Sequence, residues 1–187
     1  IDELAHCTMT PEQVGLYQAV LDKLVLETAD SINTKKARKG AVLAAITALK
    51  QICNHPLNYQ PDGVDKSLAG RSGKLTRLDE IVDTVFAAEE RVLIFTHFAT
   101  WGERLSKYLA ERTGTNVDCY HGGLGRTARD KIVDTFQKGK GRRALVLSLK
   151  AGGTGLNLTA ASHVVLYDRW WNPAVEDQAR DRVWRIG

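Results

Sequence analysis

The chain has 187 residues, 43% hydrophobic and 26% charged, with a formal net charge of +4. A chain of this length buries roughly 70% of its unfolded surface and needs no metal or disulfide staple to hold a core. No apolar run approaches the roughly 20 residues of a membrane span, and the composition excludes collagen-like, disulfide-scaffold and disordered classes. The start, Ile1-Asp2-Glu3-Leu4, lacks the basic lead and apolar stretch of a signal peptide, and the missing initiator Met suggests an excised fragment.

The first third reads as helical. Thr10-Pro11-Glu12-Gln13 carries a hydroxyl N-cap, Pro in the first turn and Gln at the capping-box position. Leu16, Tyr17, Val20, Leu21 and Leu24 follow at helical spacing. A second helix is predicted from about Gly40, with Leu43, Ile46, Leu49 and Cys53 along it, stopping before His55-Pro56. The basic stretch Asn33 to Gly40 reads as a loop or frayed helix end, and 58–73, with its glycine breaks and Pro61, as a linker.

From Ser72 helices and strands alternate. Leu75, Leu78, Ile81, Val82 and Val85 give a helix face, and Arg91 to Thr96 a buried strand. A helix through Trp101, Leu105 and Leu109 ends at Gly114, and Val117 to His121 is a second strand. A helix from Arg126 to Lys138 ends at Gly139, a natural C-cap. Arg143 to Leu149 and His163 to Asp168 are two more strands, and a last helix starts at Pro173. Doubly buried strands alternating with helices predict an α/β fold, a parallel doubly wound sheet with flanking helices. A helical segment and linker, residues 1–65, precede the sheet domain of 66–187. Ligands of such sheets bind beyond the carboxyl ends of the strands, which points to the stretches starting at Thr96, His121, Lys150 and Arg169.

Charge is unevenly spread. Between Ser31 and Pro61 there is no acid, while Lys35, Lys36, Arg38, Lys39 and Lys50 are basic. From Gly139 onward eight basic residues face four acids. Local excess of this kind suits a polyanion, although a solvated basic face explains it equally well. Cys7, Cys53 and Cys119 are scattered and read as free thiols of a reducing compartment; with no second Cys/His pair, Cys53 and His55 do not make a metal site.

Gly152, Gly153 and Gly155, directly after a strand, expose backbone N–H groups where a phosphate could approach. The loop is not a dinucleotide fingerprint, because Leu158 stands where Gly is needed. Ser72-Gly73-Lys74-Leu75 lacks the first Gly and final hydroxyl of a P-loop, so no complete nucleoside triphosphate site is present. In the last predicted helix Gln178, Arg182 and Arg185 fall within about 60° of one another. Two like charges three apart favour an anion between or opposite them, and the arginine fork suits phosphate oxygens. Asp181 with Arg185 and Glu176 with Arg180 are the plain alternative, ordinary i, i+4 surface pairs. Trp184 points nearly opposite the apolar face of that helix. His97, His121 and His163 read as polar strand tips rather than catalytic bases, and Ser148 has no nucleophile partners.

Taken in order, these stretches resemble the second helicase lobe of the Swi/Snf-type superfamily-two DNA translocases. The resemblance rests on Leu49 to Pro56, ending Cys-Asn-His-Pro, on Ser72-Gly73-Lys74, and on Val92 to Phe98 (motif IV). It continues through His121-Gly122-Gly123, Leu147 to Thr159 (motif V), and Asp168 to Pro173 followed by Gln178 to Gly187 (motif VI). It implies a RecA-like lobe working with the first helicase lobe of the same polypeptide, with ATP between the lobes and double-stranded DNA across both. ATP and Mg2+ would be held mainly by the first lobe, since Walker A and Walker B are absent here and the isolated chain should not turn over ATP. By the same resemblance Arg182 and Arg185 are arginine fingers and Gln178 supports them. Gly155 and Asp181 lie at the nucleotide, while Thr96, His97, Ser148, Lys150, Gly152 and Gly153 face the DNA backbone. The implied setting is intracellular, with no membrane. Departures from the family pattern are His97 for Gln, Trp184 for His, and Trp170 before Trp-Asn-Pro. A different superfamily-two motor and a non-catalytic nucleic-acid-binding or scaffolding domain of the same fold remain open as alternatives.

Overall fold

A computed structural model describes residues 3–29, 34–139, 141–152 and 156–169. The last predicted helix and its Gln178, Asp181, Arg182 and Arg185, together with Gly153, Gly155, Trp170 and Trp184, lie outside the described residues. The chain divides into two compact units, Ile1–Asp79 and Glu80–Gly187. The division falls within one helix, α4.

The first unit holds α1 (Pro11–Ala29), α2 (Lys35–Asn54), the short α3 (Pro56–Tyr59) and the start of α4 (Gly73–Ala87). The capping box forms as its sequence predicts. Thr10 Oγ1 accepts the Gln13 N–H at 3.2 Å, and Gln13 Oε1 accepts the Thr10 N–H at 2.9 Å. α2 begins five residues before the expected Gly40, because Thr34 caps it by accepting the Ala37 N–H at 3.3 Å. The basic run Lys35 to Lys39 is therefore its exposed first turn and not a loop. Val20, Ala45 and Ile52 form the core between α1 and α2, flanked by Leu16, Tyr17, Leu24 and Leu49.

Gln13 is buried completely and does more than close its own box. Its amide nitrogen donates to the carbonyls of Ile52 at 2.8 Å and Cys53 at 3.2 Å, which the end of α2 leaves without helical partners. Its amide oxygen also accepts the Gly73 N–H at 3.3 Å. Beside it, Ser72 Oγ donates to the Asn54 carbonyl at 2.6 Å and accepts the Leu75 N–H at 3.2 Å, while Lys74 Nζ donates to Asn54 Oδ1 at 3.1 Å. Gly73 is required by space: a Cβ there would stand 2.0 Å from the Thr8 carbonyl oxygen. His55 caps α3 by accepting the Leu57 N–H on Nδ1 at 2.9 Å, leaving Nε2 to donate to the Leu68 carbonyl at 3.0 Å.

The second unit is the predicted parallel sheet. Its strands β1 (Val92–Thr96), β2 (Asp118–Tyr120), β3 (Ala144–Ser148) and β4 (His163–Leu166) lie in the order β2-β3-β1-β4, every neighbouring pair parallel. The chain thus moves out on one side of β1 and returns to the other, the doubly wound pattern. Alternation along the strands sends residues to two faces. Leu93, Phe95, Tyr120, Leu145 and Leu147 share a core with Phe136, Ile132 and Val133 of α6 (Arg126–Lys138). On the opposite face Gly102 of α5 (Ala99–Thr113) comes so close that an added Cβ would meet Cys119 Sγ, Thr96 Cγ2 and Val146 Cγ1 at 3.2–3.4 Å. Trp101, Leu105 and Leu109, four apart, bury one stripe of α5, each such side chain contributing about 2–3 kcal/mol.

α5 ends at Gly114, where its sequence predicts, and the glycine takes the left-handed region (φ 67°). Gly139 ends α6 differently from the expected cap. Its backbone is extended (φ −74°), and glycine is needed there because a Cβ would lie 2.2 Å from the Thr135 carbonyl oxygen. The freed carbonyls of Phe136, Gln137 and Gly139 accept from the Arg91 guanidinium, which also stacks over the Phe136 ring. Directly after β3 the chain turns into a short helix, α7 (Leu149–Gly152), where the sequence suggested a glycine loop from Lys150.

Candidate nucleotide and nucleic-acid interface

The carboxyl ends of β1, β3 and β4 gather one polar edge. β1 and β3 run in register with Thr96 opposite Ser148, and β1 and β4 with Phe95 opposite Leu166. Thr96, His97, Ser148 and Asp168 therefore leave the sheet together. Thr96 is fully buried. Its hydroxyl donates to Asp168 Oδ2 at 2.5 Å and accepts the Phe98 N–H at 3.3 Å. Asp168 Oδ1 accepts the His97 N–H at 2.8 Å and lies 3.6 Å from His97 Nε2. Ser148 is buried and its Oγ accepts the Ala151 N–H at 3.4 Å, capping α7. Lys150 on α7 is exposed, and among the described residues no acid pairs with it. Gly152 closes α7, so the described part of motif V is a strand end, a one-turn helix and an outward lysine.

The turn after β2 belongs to the same end of the sheet. His121 Nδ1 accepts the Gly123 N–H at 3.2 Å, and Nε2 contacts Glu103 Oε1 of α5 at 2.9 Å. With Nδ1 accepting, Nε2 carries the proton and donates, which fixes the ring's tautomer. Gly123 leaves room for this ring: a Cβ would meet it at 3.0–3.1 Å. Behind the edge Cys119 is half-buried, its Sγ beside Gly102 of α5. Desolvation first, then the charges of Glu103 and Asp118, pushes its thiol up to about 12.

Of the residues expected at the interface, Thr96, His97 and Ser148 are brought together, with Lys150 and Gly152 one turn further on. Sequence reasoning placed Asp168 at a strand end and at the head of motif VI but missed its bonds to the turn after β1. It also missed the pairing of His121 with Glu103. The signal for Asp168 was its place at a strand's carboxyl end. The opposite, amino end of the sheet has a depression of about 650 Å³ lined by Gly114, Thr115, Gly141 and Arg142 among others. Its arginine is already paired, Arg142 to Asp118 at 3.1 Å. Among the described residues no group of three or more His, Cys, Asp or Glu side chains gathers to hold a metal, and no helix is long and apolar enough to cross a membrane.

A parallel doubly wound sheet with polar turns collected at its carboxyl edge defines a RecA-like lobe. Residues 73–187 match the family described as the helicase conserved C-terminal domain, and the chain belongs to that family, in its SWI2/SNF2 branch. The C-terminal domain of the Sulfolobus solfataricus SWI2/SNF2 ATPase superposes with a TM-score of 0.82 at 38% identity, over 92% of this chain and 74% of that one. The S. solfataricus SWI2/SNF2 ATPase core solved with double-stranded DNA gives 0.83 at 37% identity, over 96% of this chain and 36% of that one. In sequence the chain is 44% identical to YwqA of Bacillus subtilis, over 100% of this chain and 20% of YwqA. It is 32% identical to the mouse SWI/SNF-related matrix-associated actin-dependent regulator of chromatin subfamily A member 1, over 88% of this chain and 16% of that protein. The chain thus spans about a fifth or less of the length of these two relatives.

Proposed function

We propose that this chain is the second motor lobe of an ATP-dependent double-stranded DNA translocase or remodeller. In this reading the helical segment with its linker, residues 1–65, adjoins a lobe of 66–187 that closes on a first lobe of the same polypeptide. The observation that carries it is the likeness, at 37% identity and TM-score 0.83, to an ATPase core whose structure was solved with duplex DNA. The polar carboxyl edge supports it, because that is where a doubly wound sheet meets its ligands. His97, Lys150, Gly152 and Gly153 contact phosphates of the duplex, and Thr96 and Ser148 shape the turns that present them. Such contacts position the DNA without reading its sequence.

Arg182 and Arg185 reach the γ-phosphate of ATP as arginine fingers, Gln178 supports them, and Gly155 and Asp181 border the nucleotide. An arginine supplied across an interface stabilises charge that develops in phosphoryl transfer and is worth about 10³ to 10⁵ in rate. Because the sequence has no Walker A or Walker B, ATP and Mg2+ are held mainly by the first lobe. The isolated chain accordingly hydrolyses no ATP.

Steady-state ATP turnover by the full-length protein, with and without duplex DNA, tests this reading. Wild type is expected to be strongly stimulated by duplex, and Arg182→Ala to lose the stimulated rate while still binding DNA. Absence of stimulation, or a mutant as active as wild type, would replace the motor by a non-catalytic nucleic-acid-binding lobe.

A further inference from the structure

One carboxylate joins two strand ends that are 72 residues apart in sequence. Asp168 is 2% exposed, and both of its oxygens are committed to the turn after β1. Oδ2 takes the Thr96 hydroxyl and Oδ1 the His97 amide. The Thr96 hydroxyl in turn accepts the Phe98 amide, so three consecutive residues of that turn are organised around one side chain. Asp168 is itself held from behind. The Tyr167 N–H donates to the Phe95 carbonyl at 2.9 Å, and the Tyr167 ring lies 5.9 Å from that of buried Trp101. A carboxylate taken out of water is costly unless its oxygens are hydrogen-bonded, and here both oxygens receive donors from a single turn.

The two ends joined in this way have different duties under the proposed function. The turn after β1 belongs to the duplex-facing edge. Asp168 stands at the head of the stretch that continues through Trp170 to Pro173 toward Gln178, Arg182 and Arg185. We propose that Asp168 is a positioning residue that ties the turn after β1 to the start of the arginine-bearing stretch, so that duplex held against that turn is felt in the rate of ATP turnover. Asp168 touches neither ATP nor DNA in this role. It acts through Thr96 and His97, as a coupling between two sites. The inference rests on the motor reading above.

Full-length protein carrying Asp168→Asn, Thr96→Val or Thr96→Ser is compared with wild type. The readouts are ATP turnover with and without saturating duplex, KM for ATP, Kd for duplex, and Tm. Asp168→Asn is expected to lower the DNA-saturated kcat about tenfold, with the DNA-free rate, KM and Kd within about twofold of wild type. Thr96→Val, which removes the hydroxyl but keeps the shape, also loses stimulation at saturating duplex, whatever it does to the Kd for duplex, and Thr96→Ser restores it. Wild-type stimulation in Asp168→Asn or Thr96→Val would overturn the coupling. So would an equal fall in the DNA-free and DNA-saturated rates together with a lowered Tm, the mark of a purely structural role. Should Asp168→Asn fail to fold, the Thr96→Val and Thr96→Ser pair decides alone. Lack of duplex stimulation in wild type is a separate failure, that of the motor reading itself, and removes the coupling with it.

Discussion

The two units use their polar residues in opposite ways. In the first, Gln13, Asn54, His55, Ser72 and Lys74 turn inward and satisfy helix ends and one another. The Cys-Asn-His-Pro and Ser-Gly-Lys stretches, which look like chemistry in the sequence, are there a joint between helices. In the second unit Thr96, His97, Ser148 and Asp168 are also hydrogen-bonded, but at an open sheet edge with Lys150 pointing outward. A buried polar cluster whose donors and acceptors all meet internally holds a fold. One placed at the carboxyl edge of a parallel sheet holds a surface in shape for something else.

Thiol reactivity reports on the two units separately and should show the largest contrast. With Cys119 at about 12, about one molecule in 10⁴ is thiolate at pH 8, whereas Cys7 is exposed. Burial raises Cys53 as well, with Lys74 nearby opposing the effect. Maleimide should label Cys7 at once, Cys53 when the first unit opens and Cys119 when the second does, read as separate phases by mass spectrometry in rising urea. Labelling of all three at one rate would mean that the units do not hold their thiols apart.

Next in size is Gly73→Ala, whose Cβ meets backbone at 2.0 Å and should cost about 3 kcal/mol by denaturant titration. Gly102→Ala sharpens the contrast. Its Cβ would meet only side-chain atoms at 3.2–3.4 Å, and the gain in helix propensity of about 1 kcal/mol offsets the crowding, leaving stability within about 1 kcal/mol of wild type. Gln13→Ala strands the Thr10 and Gly73 amides and two α2 carbonyls, with an expected cost of about 2–3 kcal/mol; loss of amide exchange protection near Ile52 and Gly73 would locate it.

The smallest effect belongs to the Asp83–Arg112 pair, bidentate at 2.6–2.7 Å but with Asp83 60% exposed. The Arg112 hydrogen bond holds the Asp83 carboxyl below the usual aspartate value. A folded pKa below the unfolded one means that the contribution is present above the unfolded value and disappears as pH falls through the folded one. Asp83→Asn should therefore cost about 0.5 kcal/mol at pH 7, less in high salt, and nothing below the folded pKa. Thermal melts at the two pH values measure the difference.

What the sequence made legible followed periodicity and punctuation. The Arg126–Lys138 helix has the bounds its pattern predicts, and the capping box at Thr10 and the helix end at Gly114 formed where their residues stand. The parallel sheet could be inferred from doubly buried strands. What stayed hidden depends on distant partners. The reach of Gln13 to Ile52 spans 39 residues and that of Asp168 to Thr96 spans 72, and no local pattern encodes either. The early start of α2 was missed for the opposite reason, since lysines crowded behind a single Thr34 look like a loop until the cap is seen.

Gln13 also sets an order of events during synthesis. Its oxygen is engaged within three residues, but its nitrogen waits for residues 52 and 53, and the Gly73 amide joins last. A ribosome adds about 5–20 residues per second, so seconds pass between the first of these bonds and the last. The N-terminal helices therefore emerge as an unfinished hairpin, its polar centre still hydrated. They lock only when the chain reaches the helix that leads into the sheet.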